Sequence, residues 1–171
     1  MSRLRTAVLP LALLAAALAG PTACWGVPAV ERRTVRSWLT CSDCTEGEFA
    51  AVVAMGPKAT RYLRAAIADG PSLADDSILR LQATEGVVRA RRYRADRSIP
   101  TVVGSQDSSA TVEGQLVEFR FGYRLRAVEA LHAIDAPRDS AEVKRLCENP
   151  PSELLNRPDL RALLKPYGPC P

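Results

Sequence analysis

Apolar residues recur at helical spacing along most of this 171-residue chain, and that periodicity constrains the fold more than any other feature. Only one segment, Ile99 to Val103, reads as a strand, and it is too short and isolated to build a sheet. Aromatic residues make up 5% of the chain, so Ala, Leu and Val must fill most of the core. Ala and Leu cost little conformational entropy in a helix, which suits closely packed helices. The sequence therefore predicts an all-α domain, either a compact array of helical hairpins or an α-bundle, without significant sheet.

Capping and breaking residues set the expected helix boundaries. Thr45-Glu46-Gly47-Glu48 has the spacing of a capping box. Gly56-Pro57 ends that helix and starts the next, which Asp69-Gly70-Pro71 stops. Asp75 or Asp76 is expected to cap a fourth helix. The predicted helices cover about 29–39, 45–55, 57–68, 75–95, 112–134, 141–147 and 158–164.

The N-terminal end has the pattern of an export signal. Arg3 and Arg5 form a positive region before an apolar run, Ala7 to Ala19, that is shorter than a membrane-spanning helix. This pattern predicts a signal peptide over residues 1–23 and an extracytoplasmic location, either secreted, periplasmic or anchored to the membrane by a lipid.

Two processing sites fit this leader. Ala17-Leu18-Ala19 offers an ordinary cleavage site. Alternatively, Thr22-Ala23-Cys24 resembles the end of a bacterial lipoprotein signal, which makes Cys24 a candidate for lipidation and membrane anchoring. A short linker, 24–28, is expected before a single helical domain over 29–171, which contains a polar loop near 97–110 and ends in a Pro-rich tail.

Four cysteines remain beyond the leader, and an even number in an exported domain indicates disulfides. Three pairings are open for Cys41, Cys44, Cys147 and Cys170. Local pairing is the simplest, because Cys41 and Cys44 stand at a helix–helix turn, and a Cys147–Cys170 bridge would hold the C-terminal tail.

The Cys41-Ser42-Asp43-Cys44 segment also has the spacing of a redox-active pair. Cys44 precedes a helix whose dipole would favour a thiolate. The segment lacks the surrounding βαβ pattern of a thioredoxin-like site. No histidine follows it directly, as a c-type haem site requires, and the spacing of the other cysteines does not suit a zinc ribbon. A structural disulfide is therefore the preferred interpretation, and a redox pair is the alternative.

Two segments resemble helical hairpins of the HEAT repeat family. In the first, residues 49–57 run through Gly56-Pro57 into residues 62–67. In the second, residues 126–134 are followed by Pro137-Arg138 and then by a short apolar helix. The resemblance implies stacked hairpins that scaffold or bind other proteins, because single hairpins cannot bury their apolar faces alone.

No catalytic or cofactor-binding motif accompanies these helices. His132 is the single histidine, it lies on or beside an apolar stripe, and no nucleophile motif goes with it. The chain contains no P-loop, nucleophile elbow or zinc-protease motif, so no catalytic residue, cofactor or metal is expected.

The charge of the chain argues against nucleic acid as a partner. The full chain carries a net charge of +4, but two of its 23 basic residues are Arg3 and Arg5. Without them, 21 basic and 19 acidic residues remain, and the net charge is about +2. That charge is too small to indicate nucleic-acid binding.

The one strongly basic segment lies near the end of the fourth predicted helix. The preferred interpretation is that these cations complement the partial negative charge of the helix C-terminus. The alternative is that they form a binding patch for an anionic partner. Its members are Arg89, Arg91, Arg92, Arg94 and Arg97.

Two functions follow from these features. The preferred hypothesis is an exported, non-enzymatic helical protein that binds an unidentified protein partner or scaffolds a complex in the cell envelope. The alternative is a thiol–disulfide redox protein that uses the Cys41/Cys44 pair.

Overall fold

The computed structural model describes residues 26–96, 111–135 and 141–170. Within these ranges the chain forms seven α-helices and no strand, which confirms the all-α class. The leader with Cys24, the strand-like segment, the polar loop near 97–110 and Pro137 lie outside the described residues. The helices are α1 Gly26–Thr40, α2 Glu46–Ala54, α3 Pro57–Asp69, α4 Leu73–Asp96, α5 Val112–Asp135, α6 Ala141–Glu148 and α7 Pro158–Ala162, and a 3-10 helix covers Lys165–Tyr167.

Helix α5 is the centre of the fold, and its two halves meet different partners. Its first half lies along α4, where Arg120 pairs with Asp76 at 2.7 Å. Its second half lies along α3, where Asp135 pairs with Arg64 at 3.3 Å. Helices α3 and α4 therefore follow one another along α5, both antiparallel to it.

This central position explains why burial on α5 is broader than the sequence predicts. Apolar spacing along residues 112–134 predicts one buried stripe that includes Phe119 and Ile134, but these two residues are only partly buried. Neighbours on several sides bury residues around the helix instead. The buried side chains are Leu116, Phe121, Tyr123, Arg124, Ala127, Val128, Ala130 and Leu131.

The capping box at α2 is confirmed. The Thr45 hydroxyl accepts from the Glu48 amide at 3.3 Å, and the Glu48 carboxylate accepts from the Thr45 amide at 3.1 Å. The glycines between helices also behave as expected, because Gly56 and Gly70 adopt positive φ angles of 54° and 76°. Pro57 occupies the first turn of α3.

The predicted start of α4 is wrong by a few residues. The helix begins at Leu73, and the hydroxyl of Ser72 accepts from the Asp75 amide at 3.2 Å. Ser72 therefore supplies the cap that was expected from Asp75 or Asp76. At the other end of the domain, α1 begins at Gly26, inside the expected 24–28 linker.

The C-terminal tail is part of the core. Leu154, Leu160 and Leu164 are 0%, 5% and 0% exposed, and they pack into the same cluster as the helices. Arg157 donates to Glu118 of α5 at 2.6 Å. The segment that follows α6, including α7, thus contributes apolar side chains to the core. Helices as short as α6 and α7 could not bury their apolar faces alone.

The segments that resemble HEAT hairpins have their main contacts elsewhere. Helix α2 packs chiefly against α1 and α5, and α6 packs chiefly against α3. A pair of simple hairpins would instead have joined α2 to α3 and α5 to α6. The described helices form a bundle around α5, and membership of the HEAT family stays a prediction.

Candidate functional site

An open groove of ≈ 500 Å³ lies where the C-terminal end of α1, the start of α2, α5 and the 3-10 helix meet. It is the candidate site because it combines an apolar lining with a few convergent polar groups, as binding sites usually do. One wall comes from α1, α2 and the loop between them. The other comes from α5 and the tail.

Trp38 and Phe49 form the first wall. Trp38 lies in the last turn of α1 and is 7% exposed. Its indole N–H donates to the Arg126 carbonyl of α5 at 3.1 Å, which satisfies the one polar atom of the ring. The Trp38 and Phe49 rings pack at 5.2 Å between centroids with an interplanar angle of 52°. The indole is therefore held by a hydrogen bond and by an aromatic contact.

Two side chains from other helices cap α1 and fix the position of Trp38. The last carbonyls of a helix have no partner within it. Arg126 donates to the Leu39 carbonyl at 2.7 Å, and Gln82 donates to the Thr40 carbonyl at 2.7 Å. Burial lowers the pKa of Arg126 from its usual value, although Glu129 and Glu48 oppose the shift. Its guanidinium is committed to the α1 terminus.

The loop between α1 and α2 is closed by the first cysteine pair. Cys41 and Cys44 are joined by a disulfide, with their Cα atoms 5.2 Å apart. Glu48 holds the loop from the α2 side, because it accepts from the Ser37 hydroxyl at 3.0 Å as well as from Thr45. These hydrogen bonds, first those of Thr45 and then that of Ser37, lower the pKa of Glu48. A disulfide bond and hydrogen bonds thus hold the first wall in place.

Glu129, His132 and Tyr167 form the second wall. Glu129 and His132 are three residues apart on α5 and so lie on one face of that helix. The rings of His132 and Tyr167 meet edge to face, 5.4 Å apart at 78°. The second disulfide, between Cys147 and Cys170 with Cα atoms 5.3 Å apart, follows Tyr167 by three residues. The second disulfide thus ties the tail that carries Tyr167 to α6, and the first closes the loop of the other wall.

The polar groups of the second wall are partly desolvated. Burial raises the pKa of Glu129, and Arg126 and the hydroxyl of Tyr167 lower it in part. Burial and the neighbouring Glu129 carboxylate also raise the pKa of Tyr167. His132 Nδ1 is buried and has no hydrogen-bond partner among the described residues.

Sequence reasoning found only part of this site. Helical spacing predicts that Trp38 and Phe49 belong to apolar stripes, and it places His132 on or beside such a stripe without a catalytic partner. Glu129 and Tyr167 were missed. The three-residue spacing of Glu129 and His132 could have drawn attention to that face of α5, but no local signal brings Tyr167 to it.

The four disulfide candidates lie in the two local pairs that were favoured, Cys41 with Cys44 and Cys147 with Cys170. Such pairs are typical of proteins outside the cytoplasm. Within the described ranges, no helix combines the length and the apolar composition that crossing a bilayer requires.

Carboxylates surround the exposed Cys44 and bear on the redox alternative. Asp43 is its neighbour in the chain, and Glu46 and Glu48 occupy the first turn of α2. The capping box already uses the Glu48 amide that a thiolate at this helix end would need. Nearby negative charge and occupied donors both disfavour a thiolate.

The predicted arginine patch lies on the last turns of α4. Arg89, Arg91 and Arg92 are exposed, and none of them forms an ion pair with a described residue. Arg97 and the side chain of Arg94 lie outside the described residues. Beyond Ala90, every described side chain of α4 is exposed, so this end of the helix is available to a partner.

A second groove, of ≈ 480 Å³, lies between α1, α3 and the turn before α4, and Asp75 lies at its base. This carboxylate is buried and accepts from Ser72 at 2.9 Å, from Tyr123 at 3.2 Å and from Arg36. Asp76 points to Arg120 instead, so the two acids do not form a pair. Because its acceptors are all used, Asp75 serves as a link between helices.

Comparison with known proteins adds no relative: no family profile, curated protein or solved structure matches this chain. Across the residues that the structure covers, no cluster of three or more His, Cys, Asp or Glu side chains could hold a metal ion.

Proposed function

We propose that this chain is an exported, non-enzymatic helical module that binds a polypeptide partner in the cell envelope through the aromatic groove. One observation carries the proposal: a single open groove is lined by three aromatic side chains, Trp38, Phe49 and Tyr167, and a disulfide closes the loop of its first wall. Rigid aromatic side chains give large contact areas at low entropic cost, which is why they dominate binding hot spots.

Export is the first part of the proposal and has its own test. The leader pattern and the two disulfides support it. The mass of the purified native protein should show an N-terminus cut after Ala19 or a lipid-modified Cys24, with four oxidised cysteines beyond it. An uncut leader together with free thiols would contradict export.

The binding role is tested by filling the groove. Ala133 is exposed and lines the groove, so Ala133→Trp should occupy it without disturbing the core. Ala51 is exposed on α2 and does not line it, which makes Ala51→Trp a matched control. A photo-crosslinker at Ala50, which is exposed one turn beyond Glu46 on α2 and does not line the groove, should give one discrete envelope adduct in living cells.

We expect Ala133→Trp to abolish that adduct and Ala51→Trp to preserve it. Both variants should melt within a few degrees of the parent, because each change is at an exposed helix position. An adduct that survives Ala133→Trp, or the lack of any discrete adduct, would refute the groove as the binding site.

A thiol–disulfide role is the second candidate, because Cys44 is exposed and lines the same groove. It predicts that mild reductant opens Cys41–Cys44 selectively and that a thiolate then accumulates near neutral pH. Alkylation with mass mapping separates the two functions. If the pair resists mild reductant, only its structural role remains.

A further inference from the structure

The charged side chains that line the aromatic groove are both acidic. They are Glu46 and Glu129, and no lysine or arginine is among the lining residues. Glu46 is exposed at the mouth, in the first turn of α2, while Glu129 lies deeper on α5. A ligand that complements this groove therefore carries positive charge.

The aromatic side chains favour the same kind of ligand. Trp38 with Phe49 and His132 with Tyr167 make two ring pairs, one on each wall, with centroid separations of 5.2 and 5.4 Å. The faces of the Trp38, Phe49 and Tyr167 rings can attract a cation, and Trp is the strongest of the three residue types. The space of ≈ 500 Å³ is large enough for a long side chain with its head group.

Glu129 forms no ion pair with a described residue. The neighbouring Arg126 lowers its pKa in part, but the guanidinium of Arg126 donates to the Leu39 carbonyl. Burial raises the pKa of Glu129, so its negative charge is held at a cost to the folded protein. A charged group that is costly in the free protein is a candidate for binding.

We propose that the groove binds the side chain of a lysine or arginine presented by the partner polypeptide, with the cationic head group between the aromatic pairs and against Glu129. The inference rests on the proposed partner-binding function. The apolar stem of such a side chain would lie on Trp38 and Phe49, and its charge would pair with the carboxylate of Glu129.

Arginine and citrulline provide the decisive comparison, because they have nearly the same shape and differ in charge. The probes are Ac-Gly-Arg-Gly-NH2 and its citrulline counterpart. They are titrated into the purified, 15N-labelled protein with both disulfides oxidised. The indole N–H signal of Trp38, assigned with a Trp25→Phe variant, reports occupancy. We expect a saturable shift with the arginine peptide and at least tenfold weaker binding of the citrulline peptide.

Glu129→Gln keeps the shape of the side chain and removes its charge, so it should weaken the binding of the arginine peptide about tenfold. Glu113→Gln is the control, because Glu113 is an exposed carboxylate of α5 outside the groove. It should change the affinity less than twofold. Equal binding of both peptides, or no effect of Glu129→Gln, overturns the cation proposal.

The results of the two experiments distinguish the cation proposal from the proposed partner-binding function. If neither peptide shifts Trp38 but Ala133→Trp still abolishes the envelope adduct, the groove binds a partner and the cation inference is wrong. If Ala133→Trp leaves the adduct intact, the partner-binding function fails. A shift that maps to the Asp75 groove instead also overturns the inference.

Discussion

Arg124 donates from Nε to Glu153 at 2.7 Å, and their side chains are only 7% and 6% exposed. The same guanidinium donates to the carbonyls of Ile67 and Ala68, the second at 3.2 Å, at the C-terminal end of α3. One buried arginine therefore joins α5, the end of α3 and the C-terminal tail. It also compensates carbonyls that α3 cannot satisfy itself.

The first prediction concerns this buried pair. Glu153→Ala should lower the free energy of unfolding by about 3–5 kcal/mol, because it leaves the Arg124 charge buried and uncompensated. Glu118→Ala is the control, since its pair with Arg157 is more exposed, and it should cost about 1 kcal/mol or less. Urea unfolding measures both. Equal losses would mean that Arg124 is solvated or repaired in the variant.

The second prediction orders three glycine substitutions. Gly70→Ala combines a positive φ of 76° with a Cβ that would lie 2.7 Å from Arg124 Nη2, and the held guanidinium cannot move away. Gly56→Ala has a positive φ of 54° but nothing within 4 Å of its Cβ. Backbone strain alone costs about 1–3 kcal/mol.

Gly70→Ala should therefore lose more stability than Gly56→Ala, by the cost of displacing Arg124. Gly47→Ala lies inside α2, and its Cβ meets only the Thr45 hydroxyl at 3.8 Å, so it should gain about 0.5–1 kcal/mol. Thermal unfolding gives the order. If the Gly70 and Gly56 variants are equally unstable, the Arg124 contact contributes nothing.

The third prediction compares the two disulfides. Cys147 and Cys170 are 23 residues apart, and Cys41 and Cys44 only three. In the chain-entropy model their bridges contribute about 3 and about 2 kcal/mol respectively. The Cys147→Ser/Cys170→Ser variant should thus unfold at lower denaturant concentration than the Cys41→Ser/Cys44→Ser variant.

Tyr167 lies between Lys165 and Cys170 in the tail. Loss of the longer bridge should therefore also release Tyr167 and weaken the binding of any ligand in the groove. Trp38 fluorescence and the crosslinking assay report this directly. An intact groove after removal of Cys147–Cys170 would show that tail packing alone fixes the second wall.

The fourth prediction concerns alkaline pH. Burial, and then the neighbouring charge of Asp75, raise the pKa of Tyr123 well above its ordinary value near 10. Above pH of about 10 the unfolded chain loses this proton while the folded protein keeps it, so the folded state binds more protons and stability falls as pH rises.

Tyr123→Phe should remove that part of the alkaline loss while costing about 1 kcal/mol at neutral pH, because the hydroxyl donates to Asp75 at 3.2 Å. Tyr62→Phe, at a partly exposed tyrosine, should keep the alkaline loss. Unfolding free energies between pH 8 and about 11 test the difference. Identical slopes in the parent and in Tyr123→Phe would exclude this role for Tyr123.

Patterns along the chain predicted the helical class and most helix boundaries, and they favoured a Cys41–Cys44 bridge while three cysteine pairings stayed open. These depend on interactions within a few residues, such as the Thr45 capping box, the break at Gly56-Pro57 and the three-residue spacing of Cys41 and Cys44. Such signals can be read directly along the chain.

Which polar side chains are buried, and which of them face each other, depends instead on how distant segments pack together. Arg124 and Asp75 look like ordinary surface charges in the sequence, yet both are enclosed because α5 has neighbours on several sides. Glu129 and Tyr167 are 38 positions apart and meet only because the tail returns along α5. Contacts of this kind depend on packing between distant segments, which local periodicity does not specify.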